Sequence, residues 1–343
     1  MLLLGRSLKP GSVVAACNFA NAKSFIRYTV SKNYTIHGWE LGNELCGKGI
    51  GISISPYQYA NDATILRNIV QEVYREVVQK PLIIAPGGFF DANWFKKFLN
   101  RSEKLADVVT HHIYNLGPGV DDHITEKILD PTYLDGVAGT FSSLKNVLQR
   151  SSTTAKAWVG EAGGAWNSGH HLVSDAFVNS FWYFDQLGMS ATYSTKTYCR
   201  QTLIGGTTRS SLALTHGRTR PVMSTTFNGT KKIRTYAHCK GITMLFLNFD
   251  NSTTVQATVA SNYATKPSPS LVVESQRRDH LTAKDGDLHS QIMLLNGNIL
   301  SVNSAGDIPP LNPIYVDSSK PITLDPLSIV FVQIQDTAIT ICS

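Results

Sequence analysis

Two glutamates stand where apolar stretches stop. Glu44 closes "HGWELGNEL" (residues 37–45) directly after Gly42 and Asn43, and Glu161 lies in "WVGEAGGAW" (158–166). Paired carboxylates on different strands match the needs of glycoside cleavage. One carboxyl group protonates the leaving oxygen, and the second attacks the sugar or activates water. Other strand ends add Gly87-Gly88-Phe89, His111-His112-Ile113-Tyr114 and Arg200-Gln201, and the nearby aromatic residues offer flat faces for sugar rings.

Each candidate has a competitor. In an ideal strand Glu40 and Glu44 face the same side and Asn43 faces away. For Asn43 and Glu44 to share a site the backbone must bulge or turn, which Gly42 permits. The pair His111-His112 has the donors for a metal. No third histidine or carboxylate follows at helical ligand spacing, so neither metal nor cofactor is expected. His170-His171 falls in a loop and reads as capping or solvated.

The elements that must position these residues alternate. "NAKSFIRYTVSKN", "SPYQYANDATILRNIVQEVYREVVQK", "DANWFKKFLNRSEKL", "TYLDGVAGTFSSLKNVLQRS" and "SDAFVNSFWYFDQLGM" carry helical apolar spacing, the second with a Ser cap and Pro in its first turn. Between them "YTIHGWEL", "PLIIAPGG", "ADVVTHHIY", "AKAWVGEAGG" and "SATYSTKTYC" read as strands. Strand alternating with helix predicts α/β architecture with parallel strands and crossover helices. Five strands fall short of an eight-stranded barrel, so the sheet is open or the barrel incomplete. After about residue 222 the texture becomes β-rich: "GITMLFLNF", "TTVQATVA", "SLVVESQ", "QIMLLNG" and "SIVFVQIQ", separated by turn residues, predict an antiparallel β-sandwich.

Bulk properties narrow the class. The chain has 343 residues, 42% hydrophobic and 16% charged, so it is globular, with one large or two ordinary domains. No run approaches the roughly 18 apolar residues of a membrane span, and "MLLLGRSLKP" is too short for a signal-peptide core. Five cysteines lie far apart without a CxxC. Sequons occur at Asn33, Asn100, Asn228 and Asn251. The net charge is +6, and no acidic residue falls between Asp185 and Asp250. That interval reads either as a solvated basic face or as attraction for an acidic polymer such as a uronic-acid glycan. No basic-aromatic module accompanies it, so nucleic acid is not the expected partner.

Together "WELGNEL", "THHIYNLG", "WVGEAGGAW", "SDAFVNSFWYFDQLG" and "TYCRQTLIGG" resemble the heparanase-like proteins, glycoside hydrolase family 79, in particular the plant branch. The resemblance implies a (β/α)8 TIM-type barrel followed by a β-sandwich. It implies retaining hydrolysis of a β-glucuronide, with Glu44 as acid/base and Glu161 as nucleophile. Asn43 would hold the sugar 2-hydroxyl, and Gly88, His111, Tyr114, Gly164, Trp166 and Gln201 would bind substrate. The implied partner is an acidic glycan or glucuronide, in an extracellular, lysosomal or vacuolar setting, peripheral to a membrane or cell wall. Against the family pattern, Met1 falls about where the third barrel strand ends, so the expected barrel is N-terminally truncated. "TTRSSLALTHGRTRPVM" replaces the expected Tyr-rich helix. The expected division is a partial barrel at 1–206, a divergent connection at 207–222 and a β-sandwich at 223–343. Two other functions fit the residues: an inactive remnant, and a module that binds acidic polysaccharide without cutting it. Cys239 and Cys342 flank the first and last strong sandwich strands and can be neighbours. The resemblance implies that they are joined, closing a loop of about a hundred residues worth up to ~4.7 kcal/mol.

Overall fold

The computed structural model describes residues 2–4, 19–47, 53–102, 104–202, 217–218, 222–223, 225, 227–239, 242–259, 276–304, 307, 309–317 and 319–334. They form two compact units that interleave along the chain. One comprises Met1–Ile113, Gly139–Ala162 and Thr195–Cys199; the other comprises Tyr114–Ala138, Gly163–Ser194 and Arg200–Ser343.

The first unit is α/β. Its sheet runs β1 (Leu2–Leu4), β2 (Gly38–Leu41), β3 (Leu82–Phe89), β4 (Val108–Ile113), β5 (Lys156–Ala162) and β6 (Thr197–Arg200). The pairings from β1 through β5 are all parallel. The five expected strands are present. β1 is a sixth, and three residues are too few to show a period. Helices α1 (Phe19–Ser31), α2 (Pro56–Val73), α3 (Ala92–Arg101) and α4 (Ala138–Gln149) lie between the strands in sequence. Local chemistry sets the starts of two of them. Ser55 Oγ accepts from Gln58 N ahead of Pro56, and Asp91 accepts from Trp94 N. The helix expected over 132–151 is broken at Gly136 into Pro131–Asp135 and α4. Trp39, Ile83, Ala85, Val109 and Ala157 join Tyr59, Leu66, Phe95 and Phe98 in one buried core. By strand alternation, Glu40, Ile84, Thr110 and Trp158 take the other face of the sheet.

The second unit is built on antiparallel β-structure. Its larger sheet orders Val222–Met223, Ile233–His238, Ile242–Asn248, Ser328–Ile334, Gln276–Ala283, Met293–Leu295 and Asn298–Leu300, with Ile314–Val316 also pairing Gln276–Ala283. A two-stranded ribbon, Val255–Ala257 with Ile322–Leu324, covers one face through Ile233, Ala237, Met244, Phe246, Val330 and Val332. The alternate residues meet the helix Val178–Thr192: Phe184 packs on Phe331, and Tyr236 lies against Gly188. Tyr236 also donates to Asp185 at 2.7 Å. Burial pushes the Asp185 carboxyl up to about 6 against the pull of Arg234. Arg234 is held by Pro131 O (2.6 Å) and Asp135 (2.7 Å), so part of the acid-free interval's charge is consumed internally. Lys231 and Lys232 are exposed.

Cys239 is disulfide-bonded, and Cys342, its expected partner, lies outside the described residues. So do most of 207–223 and "SLVVESQ" up to Gln276. Cys46 and Cys199 are free thiols. All four sequon asparagines are exposed. Among the described residues no helix is long and apolar enough to cross a membrane.

Candidate active site

β2 stops because the chain turns out of the strand. Gly42 has φ +72° and Glu44 φ +54°, the left-handed region that a glutamate rarely adopts. The turn is tied down from two directions. Tyr59 Oη of α2 donates to Leu41 O at 2.7 Å, and Glu44 N donates to Gly87 O, also at 2.7 Å. Asn43 is half-buried on this turn, and its Oδ1 is buried without a hydrogen-bond partner.

Glu44 is 7% exposed, and its Oε1 lies 3.0 Å from His112 Nδ1. His112 is opposite Glu161 in the β4–β5 pairing. Donor atoms of Glu44, His112 and Glu161 all lie within 4.8 Å of one another. A register shift makes this possible. His111 pairs with Val159, but His112 pairs with Glu161, leaving Gly160 as the extra residue. Ala157 faces the helices, and strict alternation would send Val159 and Glu161 the same way. The inserted residue resets the count and turns Glu161 to the face of Glu44. β3 carries a matching shift between Pro86 and Phe89.

His112 is the residue that sequence reasoning missed, having chosen His111. The His111 ring is fully buried, packed edge-on against Phe141 of α4 with neither nitrogen hydrogen-bonded. Burial, helped by His112, pulls its pKa down to about 3. Alternation along β4 was the available signal, since Thr110 and His112 share a face. Gly88 sits behind the turn instead of opening onto a cleft. A Cβ there would come within 2.5 Å of Cys46 Sγ and 3.0 Å of Glu44 Cα. The Cys46 thiol is pushed up to about 12 by burial. Glu40, the competitor, is fully buried below the pair. It accepts a hydrogen bond from Thr110, and burial raises its carboxyl above the usual range.

Tyr114, Gly164, Trp166 and Gln201 belong to the second unit. There Tyr114 Oη donates to Gln201 Oε1, and Gly164 O accepts from Leu116 N at 3.0 Å. The Trp166 side chain is exposed. Two carboxylates and an imidazole are also a donor set that a divalent cation would accept. The same groups suit acid/base work with a carboxylate nucleophile.

The family model for glycosyl hydrolase family 79, N-terminal domain, matches residues 2–188. Heparanase-like protein 3 of Arabidopsis thaliana is 52% identical, across 99% of this chain and 70% of its own. The baicalin-beta-D-glucuronidase of Scutellaria baicalensis is 39% identical, across 94% of this chain and 63% of its own. Among solved structures, a Paenibacillus polymyxa xyloglucanase from glycoside hydrolase family 44 superposes with a TM-score of 0.59 at 13% identity, covering 96% of this chain and 73% of that one, a likeness of fold alone. The chain belongs to glycosyl hydrolase family 79, within its plant heparanase-like group, and is a glycosidase.

Proposed function

We propose that the protein hydrolyses a β-glucuronide bond in an acidic glycan with retention of configuration. The observation carrying this reading is the close approach of Glu44, His112 and Glu161, whose donor atoms lie within 4.8 Å of one another. That is compatible with the roughly 5–5.5 Å between carboxyl groups in retaining enzymes. It is nearer to that spacing than to the roughly 6.5–9.5 Å that inverting enzymes keep for a water.

In the first half-reaction the Glu161 carboxylate attacks the anomeric carbon. Glu44 gives its proton to the departing glycosidic oxygen, leaving a glycosyl ester on Glu161. In the second, Glu44 takes a proton from water as that water attacks the same carbon and frees Glu161. His112 Nδ1 fixes the Glu44 carboxyl group, and the unpartnered Asn43 Oδ1 is available to the sugar 2-hydroxyl. Tyr114, Gly164, Trp166 and Gln201 are assigned to the sugar-binding surface. The substrate class is supported by the glucuronidase named among the relatives and by the excess of basic charge. The parallel sheet is read as part of a TIM-type barrel and the antiparallel sheets as a sandwich, with the division near residue 206. The exposed sequons are read as glycosylated, in an extracellular or vacuolar setting at the membrane or cell wall.

The test is turnover of a chromogenic β-glucuronide with the first-released anomer followed by NMR. Glu161→Gln is expected to lose roughly 10³-fold in kcat. Glu44→Ala is expected to regain turnover with added azide, giving the β-glycosyl azide. An α-anomer as first product, or a Glu161→Gln variant within tenfold of the parent, would refute the assignment.

A further inference from the structure

We propose that Glu40 is a positioning residue for the reaction, holding the Glu44 turn in place through Thr110 and Gly87. The inference rests on the assignment of Glu44 as acid/base.

Four hydrogen-bonding groups on three adjacent strands form one continuous chain. Glu44 N–H donates to Gly87 O at 2.7 Å. Gly87 N–H donates to Thr110 Oγ1 at 3.0 Å, and the Thr110 hydroxyl donates onward to Glu40 Oε1. Every link is buried. The chain runs from a carboxyl group that touches no solvent to the backbone of the residue that must deliver a proton to substrate. Its direction is set by Glu40, because a group that only accepts at Oε1 forces the Thr110 hydroxyl to point at it. The Thr110 oxygen is then left to receive the Gly87 amide, and the carbonyl of the same residue, in the next peptide unit, accepts from Glu44 N.

The packing is shaped around this carboxyl group. Gly87 has φ +61°, and a Cβ there would stand 2.7 Å from the Glu40 carboxyl carbon. Glu40 Oε2 is buried without a hydrogen-bond partner. A buried, half-satisfied carboxyl group costs stability. An apolar side chain of similar size would avoid that cost, so the presence of Glu40 calls for an account beyond packing. The groups facing it are Thr110, Gly87, His112 and Glu161, and the two ionisable ones influence it electrostatically. Burial raises the Glu40 carboxyl above its ordinary range. A carboxyl group and a carboxamide share shape and an acceptor oxygen, so glutamine is the conservative replacement.

The experiment compares Glu40→Gln, Glu40→Leu and Thr110→Val on a chromogenic β-glucuronide, with rates normalised to folded protein by near-UV circular dichroism. Glu40→Leu and Thr110→Val are expected to lower kcat by roughly 10- to 100-fold while KM stays within about twofold, as for a catalytic group displaced by less than about 1 Å. Glu40→Gln is expected to keep kcat within about threefold and to keep the parent's pH optimum. The double variant Glu40→Leu/Thr110→Val should lose no more than the worse single variant, since both cut one chain. Should Glu40→Leu not fold, the contrast of Thr110→Val with Glu40→Gln carries the test. Parental kcat in folded Glu40→Leu or Thr110→Val would overturn the inference, as would a Glu40→Gln variant as impaired as Thr110→Val. Glu161→Gln, run in parallel, separates the two levels. If it is inactive while Glu40→Leu is fully active, only the role of Glu40 fails. If it is active, the catalytic assignment fails with it.

Discussion

Replacing Gly88 by alanine adds one methyl group behind the acid-bearing turn. The backbone at Gly88 is outside the left-handed region, so alanine can adopt it and the effect is purely steric. The new carbon would lie 2.5 Å from Cys46 Sγ and 3.0 Å from Glu44 Cα. Ordinary carbon contacts are about 3.5–4.0 Å, so Glu44 would have to retreat by at least ~0.5 Å and Cys46 by ~1 Å. Overpacking of this kind costs roughly 1–3 kcal/mol. The same retreat moves the Glu44 carboxyl group relative to Glu161, and displacements approaching 1 Å cost up to about 10²-fold in rate. Gly88→Ala should therefore lose roughly 1–3 kcal/mol in urea unfolding and roughly 10- to 100-fold in kcat/KM. Measured against Cys46→Ala, the double variant Gly88→Ala/Cys46→Ala removes the sulfur contact but leaves the Glu44 contact. It should recover much of the stability and little of the rate. A Gly88→Ala variant within about 0.5 kcal/mol and about threefold of the parent would refute the packing described around Glu44.

His111 is neutral when buried and its folded pKa, about 3, lies below the ordinary 6.5. The unfolded chain therefore takes up a proton first, and stability falls as pH drops from 6.5 toward 3, by roughly 2–3 kcal/mol on reaching pH 4.5. His111→Leu should flatten this acid limb in urea titrations at pH 7 and 4.5, and an unchanged slope would count against it. Treatment with a chelator should leave turnover intact, whereas added Zn²⁺ should inhibit competitively by occupying Glu44, His112 and Glu161; chelator-sensitive activity would speak for a metal-dependent reaction. Gly188→Ala would put a Cβ 2.3 Å from the Tyr236 ring. It should lower the melting temperature, a cost of roughly 1–3 kcal/mol overriding the ~1 kcal/mol gain in helix propensity, and a raised Tm would refute that contact.

Much of the α/β unit was legible in the sequence, because period and punctuation carry it. Ser55-Pro56 and Asp91 mark helix starts by their own hydrogen bonds, and the runs ending at Leu41, Phe89, Ile113 and Ala162 are apolar enough to read as buried strands. The pair of glutamates was legible from strand ends alone. Gln276–Ala283, a strand paired on both sides in the larger antiparallel sheet, was not. It reads "QRRDHLTA", and its charges look like loop until Arg278 is seen reaching Lys320 O and Pro321 O. The choice of His111 over His112 failed for a different reason. Which of two adjacent histidines faces a site depends on a parity count, and that count is anchored by Thr110 meeting Glu40 from a strand seventy residues earlier in sequence. Local pattern holds no record of that contact.

The register shifts flanking β4 bear on how this enzyme tolerates mutation. The orientation of Glu161 depends on Gly160, where a Cβ would press within 3.1–3.2 Å of Thr110, and the seat of Glu44 depends on Gly87 and Gly88. None of these three positions offers a side chain to substrate, so none would be chosen from a map of ligand contacts. A saturation library scored for activity should nonetheless show them as narrow as the carboxylates themselves. Selection at such sites acts on the exclusion of atoms, and a directed-evolution campaign confined to contacting residues would find its reachable geometries bounded by positions it never varied.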